Sequence, residues 1–207
     1  MYDRRMESAS ADITAFILAG GRSTRMGMEK AFVLLEGRTL LARMLDLARS
    51  VTAEVRIVGD PAKFQPFAPV VEDVFPGCGP LAGIHAALRS SQTNLNLILA
   101  VDVPFVSFAF LQFLISRSRE STAVVTVART SGGLQPLCAI YRRAFADVAE
   151  QALREGRYKI DALFKDGQTR VIGEEELSVA GFSPELFRNL NTPDDVAGAR
   201  ESRTARG

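Results

Sequence analysis

The sequence predicts an α/β fold in one domain: three layers, with a mostly parallel sheet covered by helices on both faces. Three observations carry this. Apolar runs of strand length alternate along the chain with stretches of helical spacing. Two of the runs, Ile13–Ala19 and Leu95–Val101, are almost continuously apolar, as strands buried on both faces are. The chain also holds no low-complexity linker, internal repeat or break in composition.

The elements follow in order. Ile13–Ala19 is the first strand, and a short one is expected at Ala31–Leu35. Gly37 breaks the chain, and Thr39–Ser50 then repeats apolar residues at helical intervals, Leu40, Met44 and Leu47 beside Leu41 and Leu45. Val55–Val58 is a strand, followed by a loop punctuated by Pro61, Pro66 and Pro69, and Val70–Val74 is the next strand. Gly77-Cys78-Gly79-Pro80 leads into a helix at Leu81–Arg89, and Asp102 ends the run Leu95–Val101. Phe108–Ser118 reads as a helix, Ala123–Ala128 and Pro136–Tyr141 as strands. Arg143–Arg154 and Lys159–Phe164 have helical spacing, and Thr169–Ile172 is a late strand. The domain is expected over residues 12–200, with residues 1–11 and 201–207 as flexible tails.

Composition excludes several classes of function. Among 207 residues, 25 basic and 24 acidic side chains leave a net charge of +1, unlike a general nucleic-acid binder. Two cysteines 60 positions apart and a single histidine, His85, cannot make a zinc site of the usual spacing. No apolar stretch reaches the roughly 18 residues of a membrane span. The polar start, MYDRRMESASAD, is unlike a signal peptide, so a cytoplasmic protein with reduced cysteines is expected.

The first strand runs into FILAGGRSTRMGMEK. In open α/β sheets ligands sit beyond the carboxyl ends of the strands. Gly20, Gly21 and Gly27 there leave backbone groups accessible, and Arg22, Arg25 and Lys30 add three cations within eleven residues. Arginine offers a fork for phosphate and lysine a mobile point charge, a set that suits a nucleoside triphosphate. The loop is neither a Walker A motif nor a GxGxxG fingerprint. Asp102 brings a carboxylate to the same edge, where magnesium bound to substrate phosphates needs only one or two.

LAGGRSTRMGMEK resembles the LAGGxSxRMGxxK signature of nucleotidyltransferases that join an NTP to a phosphorylated acceptor. Glu72-Asp73, GPLAGI at Gly79–Ile84, VDVPF at Val101–Phe105, QPLCAIYRR at Gln135–Arg143 and NLNTPDD at Asn189–Asp195 follow in order, over almost the whole chain. The last motifs are most similar to the molybdenum cofactor guanylyltransferases. The resemblance implies a Rossmann-like domain of the nucleotide-diphospho-sugar transferase type. It implies transfer of GMP from GTP to the terminal phosphate of Mo-molybdopterin with release of pyrophosphate, and Mg2+ as cofactor. Molybdenum-insertion proteins and apo-molybdoenzymes are the partners it suggests, with neither nucleic acid nor membrane.

By the same resemblance, Arg25, Lys30 and Asp102 are catalytic, and Asp102 is the metal ligand. Leu18, Ala19, Gly20, Gly21, Asp73, Gly79, Pro80 and Leu81 complete the nucleotide site. Asn189, Asn191 and Lys159 are candidates for the acceptor, with Arg157 beside them. One departure stands out: some relatives have an asparagine touching the nucleotide where this chain reads Val58-Gly59-Asp60. The residues leave alternatives open: a cytidylyltransferase, a sugar-1-phosphate transferase, or a non-catalytic adaptor that binds nucleotide and molybdopterin.

Overall fold

The computed structural model describes residues 12–20, 30–190 and 195. Within them, seven strands form one sheet in the order β5-β4-β1-β6-β8-β7-β9. These are β1 Ile13–Leu18, β4 Val55–Val58, β5 Val70–Val71, β6 Leu95–Ala100, β7 Val125–Thr130, β8 Gly133–Arg142 and β9 Thr169–Ile172. A separate two-stranded ribbon joins β2 Leu34–Leu35 to β3 Arg38–Thr39. Every strand of the large sheet runs parallel to its neighbours except β8, which is antiparallel to both β6 and β7. The expected mostly parallel α/β sheet is therefore present, with one reversed strand.

Its apolar runs behave as strands buried on both faces. Along β1, Ile13, Ala15 and Ile17 enter one core and Phe16 and Leu18 the other. The first core is closed by α1 (Leu40–Arg49) and by α4 (Phe108–Arg119); the second is closed by α3 (Pro80–Ser90) and α5 (Phe145–Arg154). In α1 the buried residues are Leu40, Leu41, Met44, Leu45 and Ala48, one stripe of a 3.6-residue period. Fully burying each leucine contributes about 1.5–3 kcal/mol. Side chains stop the orphan N–H groups at two helix starts: Thr39 accepts from Ala42 N–H at 3.2 Å, and Ser107 from Phe110 N–H at 3.2 Å.

Several local expectations shift. The loop expected after Val58 contains a helical turn, α2 (Pro61–Phe64), because Asp60 caps it and Pro61 starts it. A further short helix, α6 (Glu174–Val179), follows β9. The segment read as helical at Lys159–Phe164 holds only a 3₁₀ turn at Asp161–Leu163, and Ala31–Leu35 divides into a 3₁₀ turn at Lys30–Phe32 and β2. β7 and β8 reach toward each other as a hairpin, Thr130 opposite Gly133, where the strands had been expected to stop short. No helix among the described residues is long and apolar enough to cross a membrane.

Gly59 shows why a glycine follows β4. A β-carbon there would lie 2.8 Å from two ring carbons of Phe64, which is fully buried and stacks on Phe32 at 5.8 Å. Gly59→Ala should therefore destabilise the protein by about 1–3 kcal/mol, read as a lower denaturation midpoint with an unchanged slope. The double variant with Phe64→Leu should recover part of that loss. A midpoint equal to wild type for Gly59→Ala would show that the ring is not confined as described.

Candidate active site

β1 and β6 are paired from Ile13 with Leu95 to Leu18 with Ala100, so their carboxyl ends leave the sheet side by side. The Val101 N–H donates to the Leu18 carbonyl at 3.2 Å and extends the pairing beyond the strands. From this edge Asp102 projects a partly buried carboxylate, and Lys30 reaches it from the start of the 3₁₀ turn at Lys30–Phe32. The ammonium donates to Asp102 Oδ2 at 2.8 Å, with side chains 24% and 18% exposed. Lys30 is held there by its neighbour Ala31, which is wholly buried in the first core. Two residues 72 positions apart are thus joined at the end of the two central strands.

The glycine turn after β1 is more committed than its sequence suggests. The N–H groups of Ala19 and Gly20 both donate to the Val58 carbonyl, at 3.1 and 3.2 Å. They are not available as the ligand donors expected from the Leu18–Gly20 turn. A β-carbon on Gly20 would make only ordinary contacts, 3.6 Å from Gly59 Cα and 3.7 Å from the Val58 oxygen. Among the described residues, then, packing does not require glycine at position 20. Gly21, Arg22 and Arg25 lie outside the described residues.

The GPLAG segment has two glycines in different settings. Gly79, at φ 74°, caps the start of α3 in a conformation that favours glycine. Gly83 faces the sheet, where a β-carbon would make ordinary contacts, 3.4 Å from Leu18 and 3.5 Å from Val58. Gly79 and Pro80 are exposed at the edge, whereas the Leu81 side chain is fully in the core. Only the backbone of Leu81 is therefore a candidate for ligand contact. The start of α3 also carries the positive end of a helix dipole.

Asp73 lies two residues past β5, and its Oδ1 accepts from Phe75 N–H at 2.8 Å. Its burial raises its carboxyl above the ordinary value, opposed by that hydrogen bond and by the nearby His85. Asp60, one candidate to replace the relatives' asparagine, is exposed and accepts from Ala62 N–H at 2.9 Å as the cap of α2. The Gly59 N–H donates to the Val71 carbonyl at 3.1 Å. Both groups are occupied in local structure.

The C-terminal segment is brought to the same edge by aromatic packing. Phe182 and Phe187 meet Phe110 of α4 edge-on, at 5.4 and 5.1 Å, and the Arg188 guanidinium sits 4.7 Å over the Phe105 ring. Leu190 N–H then donates to the Asp102 carbonyl at 3.0 Å, which puts exposed Asn189 beside the Asp102 loop. Asn191 lies outside the described residues. Lys159 is exposed, and Arg157 pairs with Glu155 at 2.5 Å.

Sequence reasoning missed Tyr158, which lies between these two cations. The Cys78 thiol contacts its hydroxyl and raises the phenol above its ordinary value. The segment around 158 therefore stands beside the Gly77–Gly79 turn. An exposed aromatic residue between two cations was the available signal. Nothing comparable marked Leu190, whose contribution is a backbone N–H.

Comparison with known proteins agrees with this geometry. Residues 15–171 match the family described as the MobA-like NTP transferase domain. The molybdenum cofactor guanylyltransferase of Desulfosudis oleivorans is 35% identical over 187 residues, covering 89% of this chain and 92% of that protein. A probable molybdenum cofactor guanylyltransferase of Pelotomaculum thermopropionicum is 34% identical, covering 93% and 96%. The crystal structure of molybdopterin-guanine dinucleotide biosynthesis protein A from Archaeoglobus fulgidus superposes with a TM-score of 0.80 at 28% identity, covering 93% of this chain and 99% of that one.

The two thiols at and below this edge should behave differently. Burial pushes Cys138 up to about 12, whereas Cys78 is partly exposed. A maleimide near neutral pH should label Cys78 alone in the native protein, and Cys138 only after denaturation. Stability from the buried thiol is fully present below the ordinary value of 9.0 and lost as pH rises toward about 12. Equal labelling rates for both thiols in the folded protein would contradict the burial of Cys138.

Proposed function

As the chain belongs to the MobA-like NTP transferase family, we propose that it transfers GMP from GTP to the terminal phosphate of Mo-molybdopterin. The observation that carries this reading is the Lys30–Asp102 pair at the carboxyl edge between β1 and β6. Residues 12–200 are taken as the catalytic unit. The relatives named for the activity support the choice of guanine and of molybdopterin.

In this reaction an oxygen of the acceptor phosphate bonds to the α-phosphorus, and the bond from that phosphorus to the bridging oxygen breaks. Pyrophosphate leaves with the electron pair. The protein's share is positioning and charge, as in phosphoryl-group chemistry generally. In the resting site the ammonium and the carboxylate hold each other at 2.8 Å. A triphosphate with its cation offers each partner a separate counter-charge. Lys30 then neutralises the reacting phosphate, and Arg25 is assigned the same task. The N-terminal end of α3 and the Gly79–Leu81 backbone hold the nucleoside half, with Asp73 opposite. Asn189, Asn191 and Lys159 are assigned to the acceptor.

The donor set fits Mg2+. Among the described residues, no three histidine, cysteine or carboxylate side chains gather into a cage. A single carboxylate that shares its cation with substrate phosphates is the pattern magnesium favours, and Asp102 would hold it. When bound, the ion screens the phosphate charge and orients the leaving group. Two free cysteines suit a reducing compartment, so the reaction is placed in the cytoplasm, where insertion proteins and apo-molybdoenzymes would take the product.

Pyrophosphate release, followed with each of four NTPs with and without molybdopterin, tests the reading. Release with GTP only when the acceptor is present is expected. Preference for CTP would reassign the base, and release independent of the acceptor would exclude the transfer.

Two variants test the roles. Lys30→Ala should lower turnover by roughly 100–1,000-fold while weakening GTP binding less, as for loss of one preorganised charge donor. Wild-type turnover would remove Lys30 from the transition state. Asp102→Asn keeps the shape and removes the charge, so it should fold normally and lose magnesium-dependent activity. A magnesium titration identical to wild type would exclude Asp102 as the ligand.

A further inference from the structure

His85 takes no part in the chemistry above, yet it is buried to 3% exposure in the second turn of α3. Its Nδ1 is buried without a hydrogen-bond partner. Its Nε2 lies 3.4 Å from Oε2 of Glu150 on α5. Hydrogen bonds from Arg154 and Arg89 hold the Glu150 carboxyl down to about 2. The Arg89 Nε also donates to His85 Nε2 at 3.4 Å, so Arg89 and Glu150 together fix that edge of the ring. In the neutral ring this leaves Nδ1 as a buried N–H with nothing to donate to. A position filled for packing alone would carry leucine at no such cost.

The other side of the imidazole meets Phe75 edge-on, at 5.2 Å between ring centres and 75° between planes. Phe75 is the middle of a short turn. Its N–H donates to Asp73, and its carbonyl accepts from Cys78 N–H at 3.2 Å. Both ends of that turn, Asp73 and Gly79, are candidate nucleotide contacts. Val74, Pro76, Gly77 and Gly79 of the turn are exposed, so it is held from within by Phe75 and Cys78, which pack against the second core.

We propose that His85 is a positioning residue: anchored by Glu150 on α5, its ring braces Phe75 and so sets where Asp73 and Gly79 stand around the nucleoside half of the NTP. This rests on the reading of the edge as a nucleotide site, but not on which base it prefers. It predicts an effect on nucleoside recognition separate from the phosphate half, which belongs to Lys30 and the loop before it.

The test is equilibrium binding of the four NTPs and of inorganic pyrophosphate, with steady-state kinetics, to wild type, His85→Leu, His85→Gln and Glu150→Ala. His85→Leu keeps the volume and loses the link. It should weaken the preferred NTP about 10-fold and raise its KM equally, with kcat within about two-fold and pyrophosphate binding unchanged. His85→Gln, which presents a side-chain amide near the place of Nε2, should stay within about three-fold of wild type. Wild-type NTP affinity in His85→Leu overturns the proposal, as does an equal loss of NTP and pyrophosphate binding or no recovery with Gln. If His85→Leu does not fold, Glu150→Ala decides: weaker NTP with unchanged pyrophosphate supports the brace, and unchanged NTP overturns it. A wild-type preference for CTP would revise the base while leaving the comparison intact on CTP. Wild type that binds no NTP would overturn both readings.

Discussion

Leu18 and Ala100 face each other across the central strand pair, and the bond from Val101 N–H to the Leu18 carbonyl carries that pairing past the strands. Everything at the site is measured from this register. A slip of one residue would exchange the two faces of a strand that is buried on both, and would move Asp102 away from Lys30. The alternation of β1 between two cores makes such a slip costly at each of its six residues. The fold therefore uses its most protected pairing to position the charges of the site. The further parts are added from outside: α3 settles with Gly83 against Leu18 and Val58, and the C-terminal phenylalanines dock on α4 and deliver Leu190 to the Asp102 carbonyl.

The legible parts of the structure were those written in local patterns. A continuous apolar run identifies a strand buried on both faces, and Asp102 directly after such a run could only emerge at its carboxyl end. Lys30 was legible as a cation near a glycine turn. That it reaches Asp102 was not, because the contact depends on the β1–β6 pairing across 72 positions. Asp60 read as a ligand candidate, yet the proline after it makes it a helix cap, a local signal that the motif comparison obscured. The spare N–H groups expected at Ala19 and Gly20 were lost to Val58, since the identity of a backbone partner leaves no trace in side-chain chemistry. His85 entered the sequence reading only to exclude a zinc site, because nothing in its neighbours announces the Phe75 and Glu150 contacts from other elements.

The charged pair at the site differs from the ion pairs that lie along helix surfaces. Arg154 with Glu150 and Arg117 with Glu120 are helix-surface pairs at short sequence spacing, whose contribution is small and screened by salt. Lys30 and Asp102 are each more than three-quarters covered and join distant elements. Removing either partner takes a close counter-charge from a largely covered group, which costs more than at the surface. Such a pair is stable enough to hold the edge in shape and open to exchange when stronger counter-charges arrive.

The reversed strand has its own consequence. Among the described residues, six strands of the large sheet end at the ligand edge, and β8 alone begins there, entering through a two-residue link from Thr130 to Gly133. The hairpin tip, residues 131–133, is exposed and is held to α6 by the Ser131 N–H donating to Glu174, and doubling a flexible loop costs only about 0.6 kcal/mol. Evolution can therefore remodel one corner of this edge, residue by residue, while the half built on β1 and β6 stays as it is. A lineage that meets a new acceptor has a place to experiment without reopening the part of the fold that handles the triphosphate.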